Sequence, residues 1–279
     1  MLFAGLMFAC MGVLVKLGAE RFSSDELVFY RSLFSLLIVY AMLHRAKVKL
    51  STRHWQGHLW RGLSGTIAML LFFHCITVLP LATAITLNYT SSLFISALTV
   101  LVLKEKFHMP LSSALAVGFI GVVLLLHPTL EQDQFASGLL GLGSGFLAAI
   151  ALLNVRQLGI LGEPGMRVVF YFNLIATFAS GIWMLPGTLH PVALADLPLL
   201  VALGASATFA QLAMTRAYRT GHTLVVGSLA YSTIVFSALF GLLLWQELLS
   251  LSAWLGIALI IASGMLSLRL GATNTGISK

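Results

Sequence analysis

Apolar residues fill this chain in long runs, each close to the length of a bilayer crossing, with charged residues, glycines or prolines between them. Ten runs read as membrane-spanning helices: 1–17, 27–43, 60–79, 81–103, 110–127, 137–158, 166–185, 196–217, 223–245 and 251–270. All seven prolines (Pro80, Pro110, Pro128, Pro164, Pro186, Pro191 and Pro198) fall at or near run ends, where a missing amide donor costs little. The helices are therefore expected to lack proline kinks. Ten crossings of about 20 residues take about 200 of the 279 residues and leave no room for an extramembrane domain. The first run has no basic leader and no small-residue cleavage site, so it is expected to be a span and not a removable signal. The predicted fold class is all-α integral membrane.

Composition agrees with the pattern. Apolar residues make up 59% of the chain and charged residues 9%, against roughly a quarter charged in soluble domains, which excludes a water-soluble fold. The net charge of +7 would raise the question of nucleic acid, but its distribution answers it. Lys and Arg alternate between connections: Arg45, Lys47, Lys49, Arg53 and Arg61 in the second, Lys104 and Lys106 in the fourth, Arg156 and Arg167 in the sixth, Arg216 and Arg219 in the eighth, Arg269 and Lys279 in the tail. Connections three, five, seven and nine hold none, and only Lys16, Arg21 and Arg31 cluster on the other side. Short basic loops stay cytoplasmic, so both termini are expected there. Trp55 and Trp60 within the most basic stretch suit a headgroup interface, and positive-inside anchoring accounts for the stretch without a nucleic-acid partner. Cys10 and Cys75 lie inside apolar runs and read as small hydrophobes, not as a disulfide framework.

An internal repeat organises the spans. The run TLNYTSSLFISALTVLVLKEK (86–106) aligns with SLAYSTIVFSALFGLLLWQEL (228–248) at a constant offset of 142, so that Leu87, Tyr89, Phe94, Leu101 and Glu105 meet Leu229, Tyr231, Phe236, Leu243 and Glu247. Two five-helix halves follow, 1–130 and 131–279. Because five is odd, the second enters the membrane inverted relative to the first, with Glu105 ending its helix inside and Glu247 outside. Antiparallel copies around an in-plane pseudo-two-fold axis are the layout of many secondary transporters, whose substrate site lies near the repeat interface. Glycines such as Gly62, Gly65, Gly118, Gly121, Gly141, Gly145, Gly256 and Gly264 are read as close-packing positions.

Several stretches together resemble a known family, the drug/metabolite transporter superfamily and its ten-span EamA-type exporters. They are FACMGVLVK (8–16), the Phe-x-Arg opening of the second span (29–31), LVLKE (101–105), its repeat LLWQE (243–247), and TRAYRTGHTLVVGSLAY (215–231) at the eighth-to-ninth junction. The resemblance covers nearly the whole chain. It implies metabolite export by alternating access, with spans 1, 3, 4, 6, 8 and 9 near a central cavity and spans 5 and 10 peripheral. Within it the chain most looks like the amino-acid exporter branch that includes YddG-type exporters. One departure is Cys10 and Met11, where the first span often carries small polar residues; if these positions line the cavity, a softer and more apolar wall follows, and a polarizable Met adapts to varied side chains.

Catalytic signatures are absent: no nucleophile elbow, HExxH, metal-spaced Cys or His cluster or P-loop occurs, so neither enzyme activity nor a cofactor is expected. GLLGLGSG (138–145) lacks nucleotide-fingerprint spacing, and the sequon Asn88-Tyr89-Thr90 lies within a span. None of the nine acidic residues sits deep in a span, which disfavours proton antiport through a buried carboxylate and leaves His74 as the deep titratable candidate. Unpaired polar groups are costly in hydrocarbon, so polar side chains inside spans should face the bundle interior. The substrate-binding candidates are Met11, His74, Asn88, Tyr89, Asn154, Gln211 and Tyr231, with Asn173 a further in-span amide and the two repeat-related tyrosines expected to face each other across the axis. Each amide is equally readable as an interhelical hydrogen bond. Lys16 and Arg31, with Glu20, Asp25 and Glu26 between them, read as a local ion pair or as snorkelling residues before they read as a carboxylate clamp; Arg216 reads as a topology anchor.

These features point to a secondary transporter exporting small zwitterionic metabolites, chiefly aromatic, apolar or neutral amino acids, across a bacterial cytoplasmic membrane. Its partners would be that small-molecule substrate and the lipid bilayer, and nothing in the pattern requires more than a monomer. Lipophilic-cation efflux is the rival within transport and would need a negative cavity, against which Lys16 and Arg31 argue. A rival of another class is an intramembrane enzyme or receptor; the first would show a convergent acid, base or nucleophile set, and the second would need more loop surface.

Overall fold

Where the chain turns is set by a few residues. Pro80 follows the extended Leu79 and starts a new helix, Pro164 does the same after Glu163, and Pro198 sits in a first helical turn, where its missing donor is not needed. Gly162 takes φ +81°, a conformation that favours glycine, in the short connection 161–164. The structure, a computed structural model, describes residues 1–91, 93–95, 98, 113, 117, 118, 120, 121, 124, 132–187, 189–220 and 229–275. Its helices are α1 (Leu2–Gly18), α2 (Ser24–Arg45), α3 (Trp55–Val78), α4 (Leu81–Tyr89), α5 (Gln132–Ile160), α6 (Gly165–Met184), α7 (Leu197–Thr220), α8 (Ser232–Trp245) and α9 (Leu251–Thr275), with a 3₁₀ turn at Leu194–Asp196; no strand occurs among the described residues.

Among the described residues five segments are long and apolar enough to cross a membrane: Ser24–Arg45, Trp55–Val78, Gln134–Ile160, Gly165–Met184 and Leu194–Ala217. Leu2–Gly18, Ser232–Trp245 and Leu251–Leu266 are shorter apolar helices. The expected span 110–127, most of 96–109 with Glu105, and the start of the span expected at 223 lie outside the described residues or nearly so. The outer surface is apolar where a soluble protein would be polar: Phe178, Ile182 and Leu243 are each about two-thirds exposed. Inside, Val15, Leu27, Phe73, Ile76, Leu81, Ile85, Leu87 and Ile234 form one core cluster across α1 to α4 and α8.

Polar contacts gather at the two ends of the bundle. At one end Lys16 pairs with Glu247, whose other oxygen accepts from the Leu81 amide at 2.9 Å; Arg21 pairs with Asp196 at 2.9 Å; and Glu26 accepts from Ser23 N at 2.8 Å and from the His190 amide at 2.8 Å. Gln246, at φ 54°, ends α8 and turns Glu247 toward these partners. At the other end Glu163 accepts from Thr52 Oγ1 at 2.5 Å and Arg167 Nη1 at 2.9 Å, while Arg167 Nε reaches the Lys49 carbonyl at 2.9 Å. Burial alone would raise the Glu163 carboxyl, but hydrogen bonds from Thr52, His54 and Arg167 and the Arg167 charge outweigh it and hold it near about 2. The ends of α1 to α4 and α6 to α8 thus alternate between the same two clusters.

Two expectations are corrected. Lys16 and Arg31 do not form a local ion pair: Lys16 reaches across to Glu247 and lies over the Trp245 ring, and Arg31 meets no acid among the described residues. Arg61 is not a cytoplasmic anchor. The third helix starts at Trp55 and not at 60, so the exposed Trp55 and Trp60 ride on its first turns and Arg61 is carried inward, where it is 9% exposed.

Candidate functional site

Inside the bundle most hydroxyls are satisfied by their own helix. Thr66, Thr86, Thr177, Ser180, Thr208 and Ser237 each donate to the carbonyl four residues back, a bond that hides a hydroxyl in an apolar setting. The groups that do otherwise mark the interior's polar chemistry.

Tyr89, at the end of α4, and Tyr231, at the start of α8, lie with ring centroids 6.1 Å apart at 49°. The Tyr89 hydroxyl shares a 2.8 Å hydrogen bond with Thr233 Oγ1. Tyr231 is buried, and its ring packs where a Cβ on Gly264 would stand, so that glycine is required for the approach of α9. The two tyrosines expected to face each other are therefore brought together. Asn88 is turned away from them and donates to Ser144 Oγ on α5 at 3.2 Å. His74 Nε2 lies 3.5 Å from Ser137 Oγ on α5. Met11 is 5% exposed within the main core cluster. Asn154 donates to the Ile150 carbonyl of its own helix at 3.0 Å and rims a shallow depression with Arg53, Trp60 and Gln157 at the Glu163 end. Gln211 is buried on α7, and its Oε1 has no hydrogen-bond partner among the described residues. The seven candidates therefore form no single cluster.

A second interior group lies where α6 packs against both α2 and α3. Arg31 is 2% exposed, about 10 Å along α2 from its start. Its Nη1 donates to Asn173 Oδ1 at 2.9 Å, and its Cζ lies 5.4 Å from the centroid of the Phe172 ring. Arg61, about 9 Å along α3, lies with Cζ 4.1 Å from that same ring. Gly65 leaves the space that the Arg61 guanidinium and the Phe172 edge occupy. Arg31 Nε and Arg61 Nε and Nη1 are buried and make no hydrogen bond among the described residues. Neither guanidinium forms an ion pair among them.

The sequence offers this group only in part, with Arg31 as the less favoured carboxylate clamp and Asn173 as an in-span amide, and does not join them to Arg61 or Phe172. With the third span begun at 60, Arg61 stands at its very end and counts with the basic connection; beginning it at Trp55, a residue suited to a headgroup interface, puts Arg61 nearly two turns inside. Asn173 carried a signal as an in-span amide. Phe172 carried none, one phenylalanine among 18.

Comparison with known proteins places the chain. The EamA-like transporter family matches residues 1–127. The chain is 30% identical over 273 residues to an uncharacterized transporter of Helicobacter pylori (strain J99), covering 95% of this chain and 92% of that one. It is 30% identical over 263 residues to the pseudopaline exporter of Pseudomonas aeruginosa (strain UCBPP-PA14), covering 94% and 90%. Its fold matches a solved crystal structure with a TM-score of 0.63 over 96% of this chain and 98% of that one, at 20% identity, a likeness of fold alone. With its apolar helices and lipid-facing surface, the protein is a multi-pass membrane transporter of small molecules, and it belongs to the EamA-like transporter family of the drug/metabolite transporter superfamily.

Proposed function

We propose that the protein exports small metabolites from a bacterial cytoplasm across the inner membrane by alternating access, with amino acids, including aromatic and other apolar or neutral ones, as the first class. In this reading the chain makes ten crossings in two inverted halves, 1–130 and 131–279, with both termini cytoplasmic. The observation that carries it is the meeting of Tyr89 and Tyr231. Residues that the offset of 142 makes equivalent stand side by side inside the bundle, with the Tyr89 hydroxyl bonded to Thr233, as expected of a site on a pseudo-two-fold axis. Aromatic faces flanked by hydroxyls suit a side chain that is apolar at one end and polar at the other. The positive charge of Arg31 and Arg61 supports exclusion of lipophilic cations.

Purified protein in liposomes loaded with labelled phenylalanine, methionine or threonine should release label faster than protein-free liposomes, and Tyr89→Ala or Tyr231→Ala should slow release about tenfold without loss of purified yield. No release of any amino acid would defeat the substrate class. An imposed pH gradient separates coupled from facilitated flux. A rate that follows the gradient, and loses that response in His74→Gln, would assign proton coupling to His74.

A further inference from the structure

Arg31 and Arg61 are the observation that transport of neutral substrates leaves unused. Burying one guanidinium without a carboxylate is costly, and burying two beside one ring adds mutual repulsion, because a low-dielectric interior screens neither effect. Side-chain chemistry within the chain meets only part of that cost. Asn173 takes one of the five donors of Arg31, and the Phe172 face attracts both cations, yet Arg31 Nε and Arg61 Nε and Nη1 remain unpaired. The end clusters show that the chain does pair cations elsewhere, with Lys16 on Glu247, Arg21 on Asp196 and Arg167 on Glu163. Guanidinium forks match oxyanions bidentately, and Arg is suited to this where a compact ammonium is not.

We propose that Arg31 and Arg61, held by Asn173 and Phe172, bind carboxylate groups of the transported substrate, so that the preferred cargo is a small metabolite with carboxylates in excess of amines, such as a short dicarboxylate or an acidic amino acid. The proposal rests on the transport reading and revises its order of substrates, placing carboxylate-rich metabolites ahead of neutral amino acids. Both guanidiniums lie within reach of a single ring, so a short dicarboxylate can meet each with one acid group. An ammonium group at the same place would be repelled, which sets such substrates above neutral amino acids and well above cations. A cargo of net negative charge also leaves the cell with the membrane potential, so its export should be electrogenic.

The test is release of labelled succinate, glutamate and phenylalanine from proteoliposomes, with and without an inside-negative potassium-diffusion potential. Wild-type protein should release succinate and glutamate at least tenfold faster than phenylalanine, and the potential should speed succinate and glutamate but not phenylalanine. In Arg31→Gln and Arg61→Gln the succinate-to-phenylalanine ratio should fall at least tenfold, and Arg61→Lys, which keeps the charge but not the fork, should recover part of it. Arg21→Gln, at the bundle end, should leave both rates at the wild-type level. Should Arg31→Gln fail to purify, Arg61→Gln carries the test, since Arg61 has no hydrogen-bond partner in the described chain to lose. Phenylalanine release with no succinate or glutamate release, or an unchanged ratio in both variants, overturns the anion site and leaves the transport reading standing. Absence of release for all three substrates overturns both. Competition by inorganic phosphate as strong as that by succinate would overturn the assignment to carboxylates.

Discussion

At the ends of the bundle Lys16, Arg21 and Arg167 each meet a carboxylate, close to water; between the ends, Arg31 and Arg61 meet an amide and an aromatic ring. The first set does what ion pairs do for a membrane fold. Glu247 joins α1 to the start of α4 across the end of α8, and Glu163 ties the loop before α3 to the start of α6. The Lys16 and Arg21 pairs are only partly removed from solvent and cost little to desolvate, while at the buried Glu163 hydrogen bonds and the Arg167 charge offset the cost of burial; both kinds fix helix ends. The second set sits where desolvation is expensive and compensation incomplete, which is the usual mark of a functional ionisable group in a membrane interior. The contrast separates charge that holds the fold from charge that waits for cargo.

Breaking the interior set should have the largest effect on stability. Asn173→Leu removes the hydrogen-bond partner of Arg31 and should cost about 3 kcal/mol, read as earlier unfolding in a detergent titration of the purified protein; an unaffected variant would mean that Arg31 is not held as described. Next comes Glu163→Gln, expected to cost about 1–2 kcal/mol at neutral pH. Its carboxyl is held near about 2 against an ordinary 4.5, so its contribution is present in full above 4.5 and is lost as pH falls toward 2. The gap between wild type and Glu163→Gln should therefore close on acidification across that window, and a gap that widens would contradict the assignment. A smaller loss, about 1 kcal/mol or less, is expected for Glu247→Gln, since its pair with Lys16 is partly solvated. Smallest is Arg21→Ala. Its side chain is 47% exposed, so the loss should be at most about 0.5 kcal/mol and should vanish in high salt.

Most of the helical frame was legible in the sequence because hydropathy reports it directly: α1, α6 and α7 lie within a few residues of the runs expected for them, while α5 begins five residues before its run, as α3 does. The starts of α2 and α3 were placed too late, as polar and aromatic residues at a headgroup interface dilute the apolar run that marks a span. Ser23 with Glu26 could have given the start of α2, being an N-terminal cap pattern. At α3 the delayed start left Arg61 at the end of the span and not nearly two turns inside it. The nearness of Tyr89 and Tyr231 was legible because the sequence offset of 142 gives each residue a mate that composition cannot. The Arg31, Arg61 and Phe172 group was not found, because nothing in the sequence says that α6 lies against both α2 and α3; that contact exists only once the helices pack.

The claim that the interior guanidiniums serve cargo and not the fold is tested most directly by thermal unfolding of Arg61→Met, a swap of similar volume without charge, in the presence and absence of succinate. The account predicts that without succinate the variant unfolds at or above the wild-type midpoint, since an uncompensated buried charge has been removed, and that succinate raises the wild-type midpoint but not that of the variant. A variant that unfolds several degrees earlier yet is stabilised by succinate as much as wild type would contradict it.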